Sequence, residues 1–148
     1  MSQSNPPIIP VLFYQDVAQA LDWLEDTFNF KRQIVFKDDK DTIVHAEMTY
    51  GNIKIMIGPL GLVDWTTTPE KLGGQSTQQL YVYVKDVDAH HDHAKLKGAD
   101  ISSAPEDQFF GDRTYRVADL EGHRWIFGQK IRDVSTSQMA EATRLNIS

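Results

Sequence analysis

The sequence repeats itself at an offset of 70 residues. Leu12-Phe13-Tyr14-Gln15-Asp16-Val17 and Val82-Tyr83-Val84-Lys85-Asp86-Val87 share one pattern, an apolar strand closing on Asp-Val. A chain that duplicates itself has to build one supersecondary unit twice. After each Asp-Val the period turns helical. Apolar positions Val17, Ala20, Leu21, Leu24 and Phe28 recur at i, i+3, i+4, i+7 and i+11, and Val87, His90, His91, Ala94 and Gly98 form a weaker parallel stripe. Asp16 and Asp86 are suited to cap these helices, since a short carboxylate accepts the free amides of a first turn. Three strand-like runs follow each helix. They are Gln33–Phe36, Thr42–Tyr50 and Ile53–Ile57 in the first half, and Ile101–Ser103, Arg113–Ala118 and Arg124–Phe127 in the second. Gly51-Asn52 and Glu121-Gly122-His123 are the matching hairpin turns, each with the glycine that a positive φ favours. The turns align at an offset of 71 and the helices at 70, so a one-residue slip lies between them. Both halves read β-α-β-β-β, which predicts an α+β fold of two tandem βαβββ modules.

The expected organisation is an N-terminal extension (1–7), a single domain (8–129) and a polar C-terminal tail (130–148). Within the domain, module one covers 8–58, a Pro- and Gly-rich connector 59–77, and module two 78–129. Met139–Leu145 has the pattern of a short helix. A chain of 148 residues is long enough for one such domain. Its formal charge of −6 disfavours nucleic-acid binding through a broad basic face. The absence of cysteine excludes disulfides, Cys-ligated metals and thiol nucleophiles. The N-terminal stretch has no positive region, and Pro6, Pro7 and Pro10 interrupt its apolar run, so it does not read as a signal peptide. No run of about 18 apolar residues predicts a membrane span. The expectation is a cytoplasmic protein.

Four segments in order carry a resemblance to a known family: the strand ending Tyr14-Gln15-Asp16, the helix DVAQALDWLEDTFNFK, the segment Tyr81–Ala89 (YVYVKDVDA), and Ala118–Gly128 (ADLEGHRWIFG). Together they resemble the vicinal oxygen chelate superfamily of glyoxalase I, extradiol dioxygenases and bleomycin-resistance proteins. Leu120 stands where that family's closing hairpin usually has Pro. The resemblance implies an incomplete barrel around a cleft, and commonly a homodimer. Within the family it is nearest to the metal-free antibiotic-binding branch, whose members include binders of thiocoraline-type peptide antibiotics. Their closing EGHxWxFG segment is similar to Glu121–Gly128.

Active enzymes of this family hold a divalent metal with His and Glu from the first and last strands of each module. Counting seven residues back from each capping Asp gives Ile9 and Gln79. In the last strands Ile55/Ile57 and Trp125/Phe127 point to the helices, which leaves Met56 and Ile126 facing the cleft. Of the four, only Gln79 offers a hard donor, and a neutral amide is a poor one. Slipping the register by one residue recovers no His/Glu pair. The expectation is therefore no metal and no cofactor. His90-His91-Asp92-His93 superficially resembles a metal cluster. A solvated helix face with one half-buried imidazole at His91 is the favoured reading. His45 and Glu47 alternate on one strand face and are candidates for acid–base work, although a polar face towards solvent or a second copy is favoured. His123 reads as a hairpin residue.

The same parity places Val11, Phe13, Gln79, Tyr81 and Tyr83 on the cleft side. Trp65 in the connector and Phe110 before Gly111 are aromatic residues in loop positions, with ligand contact and interface or core packing equally open. Arg113 and Arg116 are the cationic candidates for an anionic ligand; a salt bridge is the commoner fate of such residues. The acidic balance favours a cationic ligand modestly. The candidate ligand-binding set is Phe13, Met56, Trp65, Gln79, Tyr81, Tyr83, Phe110 and Arg113, with no catalytic residue assigned. Three functions compete. One is a metal-free protein that sequesters a small aromatic or antibiotic-like molecule without making or breaking a bond. The second is a metal-dependent lyase, isomerase or dioxygenase. The third is a structural or regulatory dimer whose cleft is vestigial.

Overall fold

The computed structural model describes residues 5–148, so residues 1–4 of the expected N-terminal extension lie outside the described residues. The chain forms two four-stranded sheets, and neither closes on itself. In the first, β1 (Val11–Tyr14), β2 (Lys31–Lys37), β3 (Ile43–Tyr50) and β4 (Ile53–Pro59) take the order β1-β4-β3-β2. The second repeats the order as β5-β8-β7-β6, from β5 (Gln79–Tyr83), β6 (Asp100–Asp107), β7 (Asp112–Ala118) and β8 (Arg124–Lys130). In each sheet the first strand pairs parallel with the last, while the other pairs are antiparallel. Helices α1 (Val17–Phe28) and α2 (Val87–Leu96) supply the crossovers. This is the duplicated βαβββ arrangement that the repeat predicts.

Asp16 and Asp86 cap the helices as expected, with the Gln19 and Ala89 amides donating to their side chains at 3.0 and 3.1 Å. Alternation then sorts each sheet into two faces. In the first, Leu12, Tyr14, Ala46, Met48, Ile55 and Ile57 are buried with the α1 stripe of Val17, Ala20, Leu21, Leu24 and Phe28. In the second, Val82, Tyr115, Val117, Trp125 and Phe127 are buried with Val87, His90, His91 and Ala94 of α2. The Trp125 indole donates to Asp119 Oδ2 at 3.1 Å, so its single polar atom is satisfied inside the core.

The α2 histidines require a correction. His90 and His91 are only 5% and 8% exposed, so the expected wet face with a single half-buried imidazole is wrong. Both fall on the buried stripe. His90 lies over Phe127 at 4.2 Å, and its Nδ1 is 2.6 Å from the Tyr115 hydroxyl, which satisfies an otherwise costly polar atom.

Most strands run one to three residues past the expected ends, as β2, β4 and β8 do, and β6 differs most. β6 runs on to Asp107 past Pro105, beyond the expected Ile101–Ser103. It is an edge strand whose register shifts between Ser103 and Glu106, and such a bulge tolerates a residue without an amide proton. Two slips compensate, one residue being lost between α2 and β7 and one gained in the second hairpin. Met48 pairs with Ile55, and its counterpart Val117 with Trp125, offsets of 69 and 70, so the second turn is one residue longer. In the tail, α3 (Thr136–Thr143) starts at a capping box made by Ser135 and Gln138, a few residues before the expected helix. No helix among the described residues is long and apolar enough to cross a membrane.

The described residues group into two compact units, one ending at Ser76 and including Leu120–His123, the other made of Thr77–Asp119 and Arg124–Ser148. In the first unit the buried Glu121 carboxylate accepts from the Gln15 and Asp16 amides at 2.6 and 3.1 Å. It thereby satisfies two donors that the strand-to-helix turn leaves open. His123 Nε2 lies 2.7 Å from the Phe13 carbonyl and its ring meets Tyr14. Gly122, at φ +89°, sits where an added Cβ would come within 3.1 Å of the Glu70 nitrogen. Replacing Glu121 by Ala leaves both amides without their acceptor. The expected cost is about 1–3 kcal/mol, read as a lower urea midpoint with an unchanged slope.

Candidate functional site

Each sheet has a second face turned away from its helix, and these open faces carry the candidate residues. In the first unit the open face carries Val11 and Phe13 of β1, Lys54 and Met56 of β4, His45 and Glu47 of β3, and Phe36 of β2, by alternation and register. The Phe13 ring lies over Gly58, 3.6 Å from where a Cβ would stand. Trp65, from the connector, meets Phe13 edge-on at 5.7 Å and 89° and is 71% exposed. Leu62 and Val63 beside it are exposed as well. Met56 is half-buried and stands opposite Val11.

A polar cluster shares this face. His45 Nε2 is 3.0 Å from Glu47 Oε2, and Lys54 Nζ is 3.1 Å from Glu47 Oε1. Lys54 also donates to Asn5 at 2.7 Å, and the His45 ring stacks on Phe36. Hydrogen bonds, first from His45 and then from Lys54, hold the Glu47 carboxyl below the usual carboxylate range. A carboxyl depressed in the folded state adds stability above its unfolded value of about 4.3, and that stability is lost as pH falls through the folded value. Thermal melts from pH 6 to pH 3 are therefore expected to show a smaller loss for Glu47→Gln than for the parent chain.

In the second unit the open face carries Gln79, Tyr81 and Tyr83 of β5, Arg124, Ile126, Gly128 and Lys130 of β8, and Asp112, Thr114 and Arg116 of β7. Tyr81 and Tyr83 donate to the same oxygen, Asp112 Oδ2, at 2.5 and 2.7 Å. Tyr81 leans across Gly128, where an added Cβ would lie 3.1 Å from its hydroxyl. This explains how the residue keeps 41% of its surface exposed while its polar end is desolvated. Tyr83 is 57% exposed, and the two rings are tilted against each other at 5.3 Å. Burial first, and then the hydrogen bond to Asp112, push the Tyr81 phenol well above its ordinary value. For Tyr83 the bond to Asp112 leads. Replacing Asp112 by Asn is expected to bring the Tyr83 ionisation back towards about 10, read by absorbance titration of the phenolates. The parent chain's two raised phenols contribute stability below about pH 10. It falls away as the pH climbs through their folded values.

The remaining candidates lie elsewhere. Phe110 meets Phe109 edge-on and lines an open recess of about 490 Å³ with Lys130, Arg132, Asp133, Val134, Ser135 and Gln138. Gly111, at φ +103°, pins this loop, since a Cβ there would stand 2.3 Å from the Arg132 carbonyl. Arg113 is on the helix side, where its guanidinium donates to Asp88 and Asp107 at 3.0 and 2.9 Å. Sequence reasoning missed Asp112, because an acid beginning a strand gives no local sign that two tyrosines on another strand will converge on it. Nor did it foresee Glu121 as the acceptor for the α1 turn.

A catalytic dication takes three or more hard donors from the protein. Among the described residues, no group of three or more His, Cys, Asp or Glu side chains that could hold a metal ion comes together. At the corresponding strand positions Met56 stands beside Val11, and Ile126 is buried between Arg116 and Tyr81 in the register. These residues do not fit a divalent metal.

Two βαβββ modules of identical strand order define a protein of the vicinal oxygen chelate fold. The family model for the Glyoxalase/Bleomycin resistance protein/Dioxygenase superfamily matches residues 9–127, and the chain belongs to that superfamily. The crystal structure of TioX from Micromonospora sp. ML1 is similar at 33% identity and a TM-score of 0.71, covering 87% of this chain and 100% of that one. FosX, a genomically encoded fosfomycin resistance protein from Listeria monocytogenes, shares the fold at 12% identity and a TM-score of 0.62, covering 93% of this chain and 99% of its own. An uncharacterized protein of Mycobacterium bovis, Mb0911c, is 31% identical over 141 residues, 93% of this chain and 92% of that protein.

Proposed function

We propose that this chain is a metal-free binding protein for a small, ring-bearing molecule, which it sequesters without chemical change. The carrying observation is Trp65, a large apolar side chain left 71% exposed and held edge-on by Phe13. An exposed indole bordered by Leu62 and Val63 is apolar surface that a soluble domain ordinarily covers, and a stacked ligand covers it well. Tyr81 and Tyr83 offer a second ring surface in the other unit, oriented by Asp112. The proposed ligand-binding residues are Phe13, Met56 and Trp65 on the open face of the first unit and, as a separate surface, Gln79, Tyr81 and Tyr83 on that of the second. Arg113 drops out because two carboxylates occupy it, and Phe110 belongs to its own recess. The sequence resemblance to the antibiotic-binding branch supports this reading over a metal-dependent lyase, isomerase or dioxygenase, whose ion the donor set does not fit. A homodimer in the cytoplasm is part of the same proposal. Ile34 and Phe36 on the edge strand β2 give a second copy apolar surface to cover.

Titration calorimetry with the neutral aromatic probe N-phenyl-1-naphthylamine is expected to show saturable binding. Trp65→Ala is expected to weaken it about tenfold, while the melting temperature stays nearly unchanged because the residue is exposed. Unaltered affinity would remove Trp65 from the site. Elemental analysis of the purified protein is expected to find no stoichiometric zinc, nickel, iron or manganese, and about one ion per chain would favour the enzyme reading.

A further inference from the structure

On the open face of the second sheet, Ile126 of β8 is surrounded by polar residues of a definite kind. Arg116 of β7 stands directly opposite it, Arg124 precedes it by two residues on the same strand, and Tyr81 of β5 stands opposite on the other side. Gln79 is opposite Arg124. Residues opposite each other across strands have Cβ atoms about 5 Å apart, and diagonal ones about 7–8 Å. Two long guanidinium arms rooted at that spacing can converge on one group.

Arg116 and Arg124 are exposed, and neither has an ion pair or a hydrogen bond to another side chain among the described residues. Arg32, Lys37, Lys54, Arg113 and Lys130 are each held by a carboxylate, and what sets Arg116 and Arg124 apart from the other unpaired cations is their diagonal placement on one sheet face. In a chain of net charge −6 with 21 acids, two neighbouring cations without a carboxylate form a local field opposite to that of the whole. Their forked donors match the geometry of an oxyanion, which can be shared between them. Tyr81 stands close by, so the anion arrives beside an aromatic ring.

We propose that Arg116 and Arg124 form a binding site for the oxyanion of an aromatic ligand: an aryl carboxylate, sulfonate or phosphate, with Gln79 as an additional polar contact. The overall acidity, which taken alone favours a cationic ligand, is reversed at this spot. The inference rests on the proposed ring-binding function and assigns the charge of the molecule bound.

The test compares 1-anilinonaphthalene-8-sulfonate with N-phenyl-1-naphthylamine, the same ring system with and without the anion. The sulfonate is expected to bind about tenfold more tightly. The double variant Arg116→Gln/Arg124→Gln is expected to remove that preference while leaving the neutral probe's affinity in place. Arg116→Lys, which keeps the charge but not the fork, is expected to retain part of it. Equal affinity for the two probes, or a preference that survives the double variant, overturns the oxyanion site and leaves the ring-binding reading standing. Failure of both probes to bind overturns the two together.

Discussion

Strand alternation is the constraint on which the rest of the molecule depends. Each sheet has one helix to cover it, so one set of alternate side chains packs against that helix and the other set faces away from it. Ile55 and Ile57 are buried with α1 while Met56 between them turns away, and Trp125 and Phe127 are buried with α2 on either side of Ile126. A shift of one residue would put Trp125 on the open face and Arg124 in the core. The two faces are therefore decided together, and the helix-facing residues determine which side chains a ligand can meet.

The duplication makes the comparison between modules informative. Phe13 and Tyr83 hold equivalent positions, and both stand opposite a glycine, Gly58 or Gly128. Around this shared frame the open faces have diverged. One gathers His45, Glu47 and Lys54 into a charge-balanced cluster, whereas the other satisfies two phenols with one buried acid and leaves two arginines without a side-chain partner. The two open faces thus differ in side-chain chemistry while strand order and pairing are the same.

The fold was legible because helical and strand periods, capping acids and turn glycines all agreed. Of the candidate residues, alternation correctly assigned the open-face positions of Phe13, Met56, Gln79, Tyr81 and Tyr83. Parity says nothing about which loop bends towards which strand, so Trp65 beside Phe13 and Phe110 in its own recess required coordinates. Long-range polar pairing was invisible for the same reason. Asp112 lies 29 and 31 residues from the phenols it accepts, and Glu121 more than 100 from the amides it serves. For His90, place on the stripe outweighs polarity, because the neighbouring Tyr115 hydroxyl supplies its partner.

The tip of the second hairpin has a consequence for dissection of the chain. Leu120–His123 belong with the first compact unit although they are encoded in the second repeat. A half-gene cut at the connector would separate the opening turn of α1 from the acid that satisfies it. The boundaries of the sequence repeat and of the folded units therefore do not coincide, and a truncation designed on the repeat alone would cut through the first unit.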